Sequence, residues 1–317
     1  MLIIKRKRVN RTSLAQGLSM ILFVFGLFLM AAAPAAAQPA QITLLHINDT
    51  HSHLAAWGPK DGNLDGTLGG LPKVAWIVAM EKASDPNALF VDDGDIMDGD
   101  FFFNEYLGVA EFQLLKSIGL DAMVLGNHEF RFGPSFLADI LQSAWGTPAG
   151  GVAILGTNLQ IPADNPLLPW ISPTLIKVVN GVKVGFIGLS TKGAPANPAP
   201  VAVQKTVCPI SQLAVNSLRG AGAQLVVCLY HGGMDAARAL AACVPGIDVI
   251  VNGHDNAALE QPEQIARPGG GTTLIVSAGH LYRYVGRLRL SVAGSEVSMI
   301  DYALLSADAD TPSLPAV

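Results

Sequence analysis

The sequence predicts an α/β sandwich built from mixed β-sheets, and three observations support this fold class. From Gln41 onward, short apolar runs rich in β-branched residues alternate with segments whose apolar residues recur at helical spacing. Asn180-Gly181, a pair typical of tight hairpin turns, lies between two strand-like runs. A second hairpin is predicted near the end of the chain, so we expect antiparallel as well as parallel strands.

The strands are predicted where apolar runs are short and continuous, as is typical of strands buried on both faces. Six runs meet this description: residues 42–48, 88–92, 122–126, 151–156, 224–230 and 247–253. Helices are predicted at residues 71–82, 104–118, 135–143, 211–220 and 234–243. The two hairpins are predicted at residues 174–189, around Asn180-Gly181, and at residues 287–304, around a turn at 293–296.

The first 37 residues are predicted to be a secretory signal. Five basic residues lie within the first 11 positions, an apolar run covers residues 18–33, and Ala35-Ala36-Ala37 forms a small-residue cleavage site. An uncleaved membrane anchor is the alternative, although the 16 residues of the run are short for a bilayer crossing. We therefore expect a signal at 1–37, one domain at 38–305 and a loose tail at 306–317. The mature protein would be periplasmic or secreted, without a stable membrane anchor.

The composition excludes several classes of protein. Half of the residues are apolar and 14% are charged, which is too apolar for an intrinsically disordered chain. Removing residues 1–37 takes away five of the 20 basic residues and none of the 25 acidic ones, so the net charge moves from −5 to −10. A protein this acidic is not expected to bind nucleic acid or anionic lipid, but it is suited to holding cations.

Three cysteines allow at most one disulfide. Cys228 lies in the apolar run LVVCLY and is predicted to be a small core residue. Cys208 and Cys243 flank that run and could pair in an oxidising compartment, although the sequence gives no distance between them. Their spacing is not that of a zinc site.

Side chains of the kinds that bind metal ions follow five of the predicted strands. They are Asp49 and His51 after the first strand, Asp95 after the second, Asn127 and His128 after the third, His231 after the fifth, and His254 and Asn256 after the sixth. Because the carboxyl ends of parallel strands meet on one side of a sheet, these residues are expected to converge on one crevice. A mixed set of oxygen and nitrogen ligands is typical of a two-metal centre. The alternative, ordinary loop residues after strands, is disfavoured because four of the seven histidines coincide with these positions.

Several segments together resemble a known family. DTHSHL, DDGDIMDG, GNHEF, LYHGG and DVIVNGHDN, in this order and spacing, resemble the calcineurin-like metallophosphoesterases. GGLPKVAWIV, VKVGFIGLST and SAGHLYRYVGRLRL narrow the resemblance to the branch of periplasmic and secreted 5′-nucleotidases, over about residues 41–303. The resemblance implies a four-layer αββα sandwich, with two mixed β-sheets flanked by helices. It also implies a metal-dependent phosphoric ester hydrolase that acts in nucleotide catabolism on phosphomonoesters or nucleotides.

The resemblance also implies a role for each site residue. The site would hold two divalent ions (Mn, Zn, Mg or Fe), and Asp95 would bind both of them. Asp49 and His51 would bind the first ion, together with Asn256, which stands where the family has a histidine or glutamine. The second ion would be bound by Asn127, His231 and His254. His128 matches the catalytic histidine beside the phosphate, which Asn127 is also expected to contact. In such a centre a hydroxide between the ions attacks phosphorus, and His128 steadies charge on the phosphoryl group or the leaving oxygen.

The chain departs from the family pattern at three places. Arg131 stands where family members usually carry an aspartate that orients the catalytic histidine, and it would either bind a substrate phosphate or be a surface arginine. Asn256 is a neutral amide ligand, which suits Mn²⁺ or Mg²⁺ better than Zn²⁺, and Asp255 could either substitute for it or be a solvated loop carboxylate. The sequence stops at Val317, where full-length 5′-nucleotidases continue into a substrate-binding C-terminal domain, so a partner subunit could take its place.

These departures leave two further hypotheses beside a 5′-nucleotidase-type hydrolase. One is a metal-binding pseudoenzyme or binding protein with weakened turnover, motivated by Arg131 and Asn256. The other is a related hydrolase that acts on sulfur-containing or cyclic phosphate esters in the same centre.

Overall fold

Two large mixed β-sheets organise the chain in the computed structural model, which describes residues 38–62, 65–193 and 196–315. The predicted signal at 1–37 lies outside the described residues. In chain order the strands are β1 (Ala40–Ile47), β2 (Trp57–Lys60), β3 (Gly66–Leu68), β4 (Leu89–Asp92), β5 (Ala122–Val124), β6 (Ala153–Leu155), β7 (Leu159–Gln160), β8 (Ile171–Ser172), β9 (Thr174–Val179), β10 (Val182–Leu189), β11 (Ala202–Val203), β12 (Leu225–Tyr230), β13 (Val249–Asn252), β14 (Glu263–Ala266), β15 (Thr272–Val276), β16 (Tyr284–Ala293) and β17 (Glu296–Ser306).

The α-helices are shorter in total than the strands and lie between them in the chain. They are α1 (Leu71–Ser84), α2 (Phe101–Tyr106), α3 (Val109–Ser117), α4 (Pro134–Trp145), α5 (Val207–Gly220) and α6 (Met234–Cys243). Short 3₁₀ helices cover His128–Phe130, Pro148–Gly150 and Leu168–Trp170.

Each large sheet has a parallel centre and antiparallel edges. The seven-stranded sheet runs β17-β16-β1-β4-β5-β6-β8, with β1, β4, β5, β6 and β8 parallel and β16 and β17 antiparallel to their neighbours. The six-stranded sheet runs β14-β15-β13-β12-β10-β9, with β10, β12, β13 and β15 parallel. The strands β9 and β14 close its two edges in antiparallel pairs. Direct connections join the antiparallel pairs β9–β10, β14–β15 and β16–β17, while α-helices lie in the connections between the parallel neighbours β1–β4, β4–β5, β5–β6, β10–β12 and β12–β13.

Three apolar clusters separate four layers. Ile42, Val91 and Val124 on one sheet pack against Phe186 and Val227 on the other, so the central cluster lies between the two sheets. A second cluster lies between the seven-stranded sheet and helices α1, α3 and α4, and a third lies between the six-stranded sheet and helices α5 and α6. The predicted αββα sandwich of two mixed sheets flanked by helices is confirmed.

One predicted helix is wrong in a way that has a clear physical cause. Residues 104–118 carry continuous apolar periodicity, but Leu107 and Gly108 have φ values of 53° and 94°, so the chain breaks into α2 and α3. Gly108 packs so closely on Met97 that an added Cβ would lie 3.1 Å from its side chain. The sequence analysis also missed strands β14 and β15, which complete the second sheet.

A disulfide connects helices α5 and α6, and hydrogen bonds connect the segment after β17 to α1. A disulfide joins Cys208, in the first turn of α5, to Cys243, the last residue of α6, while Cys228 is buried in the core as predicted. After β17, Lys73 donates a hydrogen bond to the Asp308 carbonyl at 2.5 Å, and the Leu314 N–H donates to the Pro72 carbonyl at 2.9 Å. Within residues 38–62, 65–193 and 196–315, no helix is both long and apolar enough to span a bilayer.

Candidate metal centre

The predicted site residues lie just beyond the carboxyl ends of five parallel strands. Asp49 and His51 follow β1, Asp95 follows β4, and Asn127 and His128 follow β5, three neighbours in the seven-stranded sheet. His231 follows β12, and His254 and Asn256 follow β13, which is the neighbour of β12 in the six-stranded sheet. Both sheets therefore supply side chains to the same region, as expected for strand ends that share one side of a sandwich.

Asp95 stands between two groups of ligand atoms. Its carboxylate, one nitrogen of His51 and one nitrogen of His128 all lie within 4.8 Å of one another. The Asp95 carboxylate, His231 and His254 form a second group that meets the same limit. A carboxylate with two oxygens that belongs to both groups has the arrangement required to join two cations.

The Asp95 loop is held by Glu129, which the sequence analysis did not single out. The fully buried Glu129 carboxylate accepts four backbone hydrogen bonds, from Asp95 (3.0 Å), Ile96 (2.8 Å), Met97 (3.1 Å) and Gly126 (2.7 Å). These four N–H groups lie beyond the ends of the strands and would otherwise be buried without a hydrogen-bond acceptor. The only sequence signal was a glutamate beside the candidate residue His128, which gives no indication of four backbone partners.

His231 supplies the test of whether the site fits a cation. Its ring is buried, and Nδ1 donates a hydrogen bond to the Asp93 carbonyl at 2.6 Å, so the lone pair of the neutral ring is on Nε2. Nε2 lies 3.1 Å from Asp95 Oδ2, and among the described atoms it has no hydrogen bond of good geometry. Two acceptors this close in a buried site repel each other unless a cation or a proton lies between them. The donor set therefore fits a metal ion held by both atoms.

The remaining predicted ligands are connected to one another. Both carboxylate oxygens of Asp49 accept from the His254 backbone N–H at 3.0 Å, and Oδ2 also accepts from Asn48 Nδ2 at 2.7 Å. His254 Nδ1 lies 2.9 Å from Asn127 Oδ1, and the His254 ring contacts the His231 ring edge-on, with 5.2 Å between centroids. The loops after β1, β5 and β13 thus meet at this point.

Burial and charge shift the pKa values of these groups in opposite directions. Burial raises the pKa of Asp49 to about 6. Burial alone would raise the pKa of Asp95, but the positive charge of His231 and the contacts with His128 outweigh it and leave that pKa below its ordinary value. Burial lowers the pKa of His231, and the carboxylates of Asp95, Asp49 and Asp93 raise it well above its ordinary value. A dication at this site would replace the His231 proton, so metal binding is expected to release protons.

Backbone conformations bring these side chains together. Asp49, His51, Asp95 and His254 all have positive φ, between 47° and 85°, which L-residues rarely adopt. Gly126 allows the turns to approach, since an added Cβ there would lie 2.1 Å from Asp95 Oδ1. Such strained conformations persist only where the surrounding structure holds them, and they cluster at functional sites.

Asn256 and its neighbour Asp255 differ in their surroundings. Asn256 is exposed and has a φ of 57°, two residues beyond His254. Asp255 accepts a hydrogen bond from the backbone N–H of Met234 at 2.6 Å, at the start of α6. The Asp255 carboxylate is thus engaged with the helix, and its substitution for Asn256 as a ligand stays a prediction.

Asp98 contacts His128, a contact that the sequence analysis did not anticipate. His128 Nδ1 lies 2.9 Å from Asp98 Oδ2, and the guanidinium of Arg131 also donates to that oxygen. The backbone N–H of His128 donates to Asp95 Oδ1 at 2.8 Å. Arg131 therefore pairs with a carboxylate from the Asp95 loop, and its side chain remains 44% exposed.

The family to which these features belong is shown by comparison with known proteins. The family model described as calcineurin-like phosphoesterase matches residues 42–257. The 5′-nucleotidase of Bos taurus is 32% identical over 254 residues, which cover 77% of this chain and 43% of the relative. That of Diplobatis ommata is 29% identical over 279 residues, which cover 82% of this chain and 48% of the relative.

A solved structure agrees with this assignment. The 5′-nucleotidase precursor from Thermus thermophilus superposes with a TM-score of 0.79 and 29% identity, covering 87% of this chain and 56% of that one. The chain spans about half the length of the curated relatives it matches. Because the family model matches more than half of its residues, as the sequence segments predicted, the chain belongs to the calcineurin-like phosphoesterase family.

Proposed function

We propose that this protein is a two-metal phosphoester hydrolase of the 5′-nucleotidase type. The observation that carries the proposal is the position of Asp95, whose carboxylate is shared by two groups of histidine nitrogens. Family membership and the relatives named 5′-nucleotidase support a phosphomonoester or nucleotide as the substrate.

The ligands in this proposal are the residues predicted from the sequence. Two divalent ions would be held by the predicted set, with Asp95 between them: Asp49, His51, Asp95, Asn127, His231, His254 and Asn256. When bound, the ions would polarise the phosphoryl oxygens and supply hydroxide near neutral pH. Carboxylate, amide and imidazole donors are ligands for Mn, Zn, Mg and Fe, and the amide of Asn256 would favour Mn²⁺ or Mg²⁺ over Zn²⁺.

His128 would serve the phosphate end of the reaction. Its Nδ1 faces Asp98 and its Nε2 faces the metal centre, 3.9 Å from Asp95 Oδ2, so Nε2 is the atom available to a substrate. An imidazole here can donate a hydrogen bond to the phosphoryl group or the leaving oxygen. Asn127 lies beside it and would contact the same phosphate. The exposed side of Arg131 would be available to a second anionic group, while its pairing with Asp98 satisfies part of its charge.

Hydrolysis assays joined to metal analysis test the proposal. Purified protein is expected to hydrolyse AMP and p-nitrophenyl phosphate with Mn²⁺, to hold about two metal ions and to lose activity in a chelator. Asp95→Asn is expected to lose both ions and at least about a hundredfold in kcat/KM, which corresponds to about 2.7 kcal/mol of transition-state stabilisation. Asp139→Asn, an exposed aspartate on α4, is the matched control and should behave as wild type.

The same assays distinguish the alternatives. Stoichiometric metal without turnover on any ester would favour the hypothesis of a metal-binding protein. Arg131 was one reason for that hypothesis, because it replaces an aspartate, but Asp98 supplies a carboxylate to His128 and weakens this reason. The panel should include cyclic and sulfur-containing phosphate esters. A protein that binds no metal would overturn the proposal.

We also propose that the protein is exported, with cleavage after residue 37. The basic and apolar segments of the first 37 residues support this, and so does the Cys208–Cys243 disulfide, because disulfides persist mainly in oxidising compartments. Sequencing of the mature N-terminus should find Gln38, whereas a retained Met1 would contradict the proposal.

A further inference from the structure

Arg131 presents a partly exposed guanidinium beside the ring of His128. The guanidinium donates to Asp98 Oδ2, the oxygen that also lies 2.9 Å from His128 Nδ1. Two side chains that contact one oxygen atom are neighbours in space. The guanidinium therefore lies at most about 8 Å from His128 Nε2, the atom that faces the metal centre, because the two hydrogen bonds and the ring laid end to end are no longer than this.

The guanidinium of Arg131 is held in place while most of its donors remain unused. The Arg131 backbone N–H donates to the His128 carbonyl at 3.0 Å, and the guanidinium carbon lies 5.8 Å from the centre of the Phe132 ring. A guanidinium has five N–H donors, and among the residues that the structure describes its hydrogen bond is the one to Asp98. The remaining donors form a planar fork that matches a carboxylate or a phosphate, and a side chain already fixed by other contacts loses little entropy when it binds one.

The charge around Arg131 makes this cation important for an anionic substrate. Asp98 and Asp100 belong to the loop that contacts His128, and the predicted mature chain has a net charge of −10. Such surroundings repel anions unless a cation is present. The proposed metal ions would neutralise the phosphate that is cleaved. A second anion on the Nδ1 side of the His128 ring would meet Arg131 instead.

We propose that Arg131 selects phosphomonoesters whose leaving group carries a second anion, a carboxylate or a phosphate, close to the phosphate that is cleaved. The inference rests on the proposed function and names a substrate class for it. His128 Nε2 would donate to the first phosphate, and the fork of Arg131 would donate to the second anion of a short leaving group that spans the gap between them. An aspartate, which the family pattern has at this position, would repel such a group, so the selectivity is expected of this chain and not of the family pattern.

Three substrates built on one carbon chain measure the selectivity. Glycerol 3-phosphate is the reference, in 3-phosphoglycerate a carboxylate replaces its terminal CH₂OH group, and glycerol 1,3-bisphosphate carries a second phosphate. With Mn²⁺, we expect kcat/KM for at least one of the two-anion substrates to exceed that for the reference by about 10- to 100-fold, the scale of a charge-assisted hydrogen bond to a fork. The larger ratio identifies the second anion as carboxylate or phosphate. Ratios near one for both substrates would overturn the proposal.

Variants of Arg131 separate selectivity from a structural role. Arg131→Gln is expected to lower kcat/KM for the preferred two-anion substrate by about 10- to 100-fold and for glycerol 3-phosphate by several-fold less. Arg131→Lys keeps the charge without the fork and should recover part of the loss. Arg238→Gln is the matched control, because the Arg238 side chain is 45% exposed against 44% for Arg131 and pairs with Asp235 and Glu263; it should keep the wild-type ratio. Equal losses on both kinds of substrate in Arg131→Gln would mean that the arginine only braces Asp98, and would overturn the proposal.

A binding measurement tests the selectivity without turnover. Isothermal titration calorimetry of the Mn²⁺-loaded full chain compares propylphosphonate with 3-phosphonopropionate (or with 1,2-ethylenediphosphonate, if the bisphosphate is the preferred substrate). Wild type is expected to bind the two-anion phosphonate about 10- to 100-fold more tightly, and Arg131→Gln to bind both compounds about equally. This preference in a protein that hydrolyses no ester would support the role of Arg131 and contradict the proposed hydrolase. Hydrolysis without preference in either assay would support the hydrolase and overturn the inference.

Discussion

Replacing Glu129 with glutamine is expected to destabilise the protein and to weaken metal binding. The two Glu129 oxygens each accept two backbone N–H groups, Ile96 and Met97 on Oε1 and Asp95 and Gly126 on Oε2. In glutamine an NH₂ group replaces one oxygen, so two buried donors face another donor. Each unpaired buried donor costs about 1–3 kcal/mol, and the expected loss in the free energy of unfolding is therefore about 2–6 kcal/mol.

The loop that these bonds hold carries Asp95, so the loss is expected to reach the metal site. We expect metal affinity to fall by about 10- to 100-fold, as is typical when a residue that orients a ligand is changed. Urea unfolding in the presence of a chelator measures the change in folding stability alone, and competition with a chromogenic chelator measures the affinity.

The control is Glu105→Gln, a glutamate exposed on α2, which should change neither quantity by more than about 0.5 kcal/mol. If Glu129→Gln unfolds within about 1 kcal/mol of wild type and binds metal equally well, the four hydrogen bonds do not organise the Asp95 loop.

Two further predictions concern the buried ring of His46 in β1. Burial lowers the pKa of His46 to about 3. Between about pH 6.5 and pH 3 the unfolded state therefore carries a proton on this ring that the folded state lacks. The free energy of unfolding should fall by about 1.4 kcal/mol per pH unit as the pH drops below about 6.5. Urea unfolding in chelator from about pH 7 to pH 4 should show this slope reduced in His46→Asn, and equal slopes would refute the argument. Gly286→Ala should cost about 1–3 kcal/mol, because its Cβ would lie 2.0 Å from His46 Nε2. Thermal unfolding beside Gly220→Ala, where an added Cβ meets open space, checks this, and equal melting temperatures would count against it.

Much of the fold could be predicted because the responsible forces act over short stretches of chain. Asn180-Gly181 forms the β9–β10 turn with φ values of 51° and 79°, as its turn chemistry predicts. The helix predicted at 234–243 is observed as α6 with the same bounds. The predicted helix at 104–118 is divided because Leu107 and Gly108 adopt positive φ, and apolar periodicity contains no information on those two backbone conformations.

The candidate site shows the same division between local and remote causes. The sequence alone indicated which polar residues follow each strand. A buried strand is a run of apolar residues, so the first polar residues after the run mark the end of the strand. Only the tertiary structure decided that Asp95 joins two groups of histidines, that Glu129 holds its loop and that Asp98 contacts His128. These contacts link residues tens of positions apart in sequence, or require positive φ at Asp95 and Asp98. Their geometry is set by sheet pairing and by the packing of one loop on another, and no local pattern of residues encodes it.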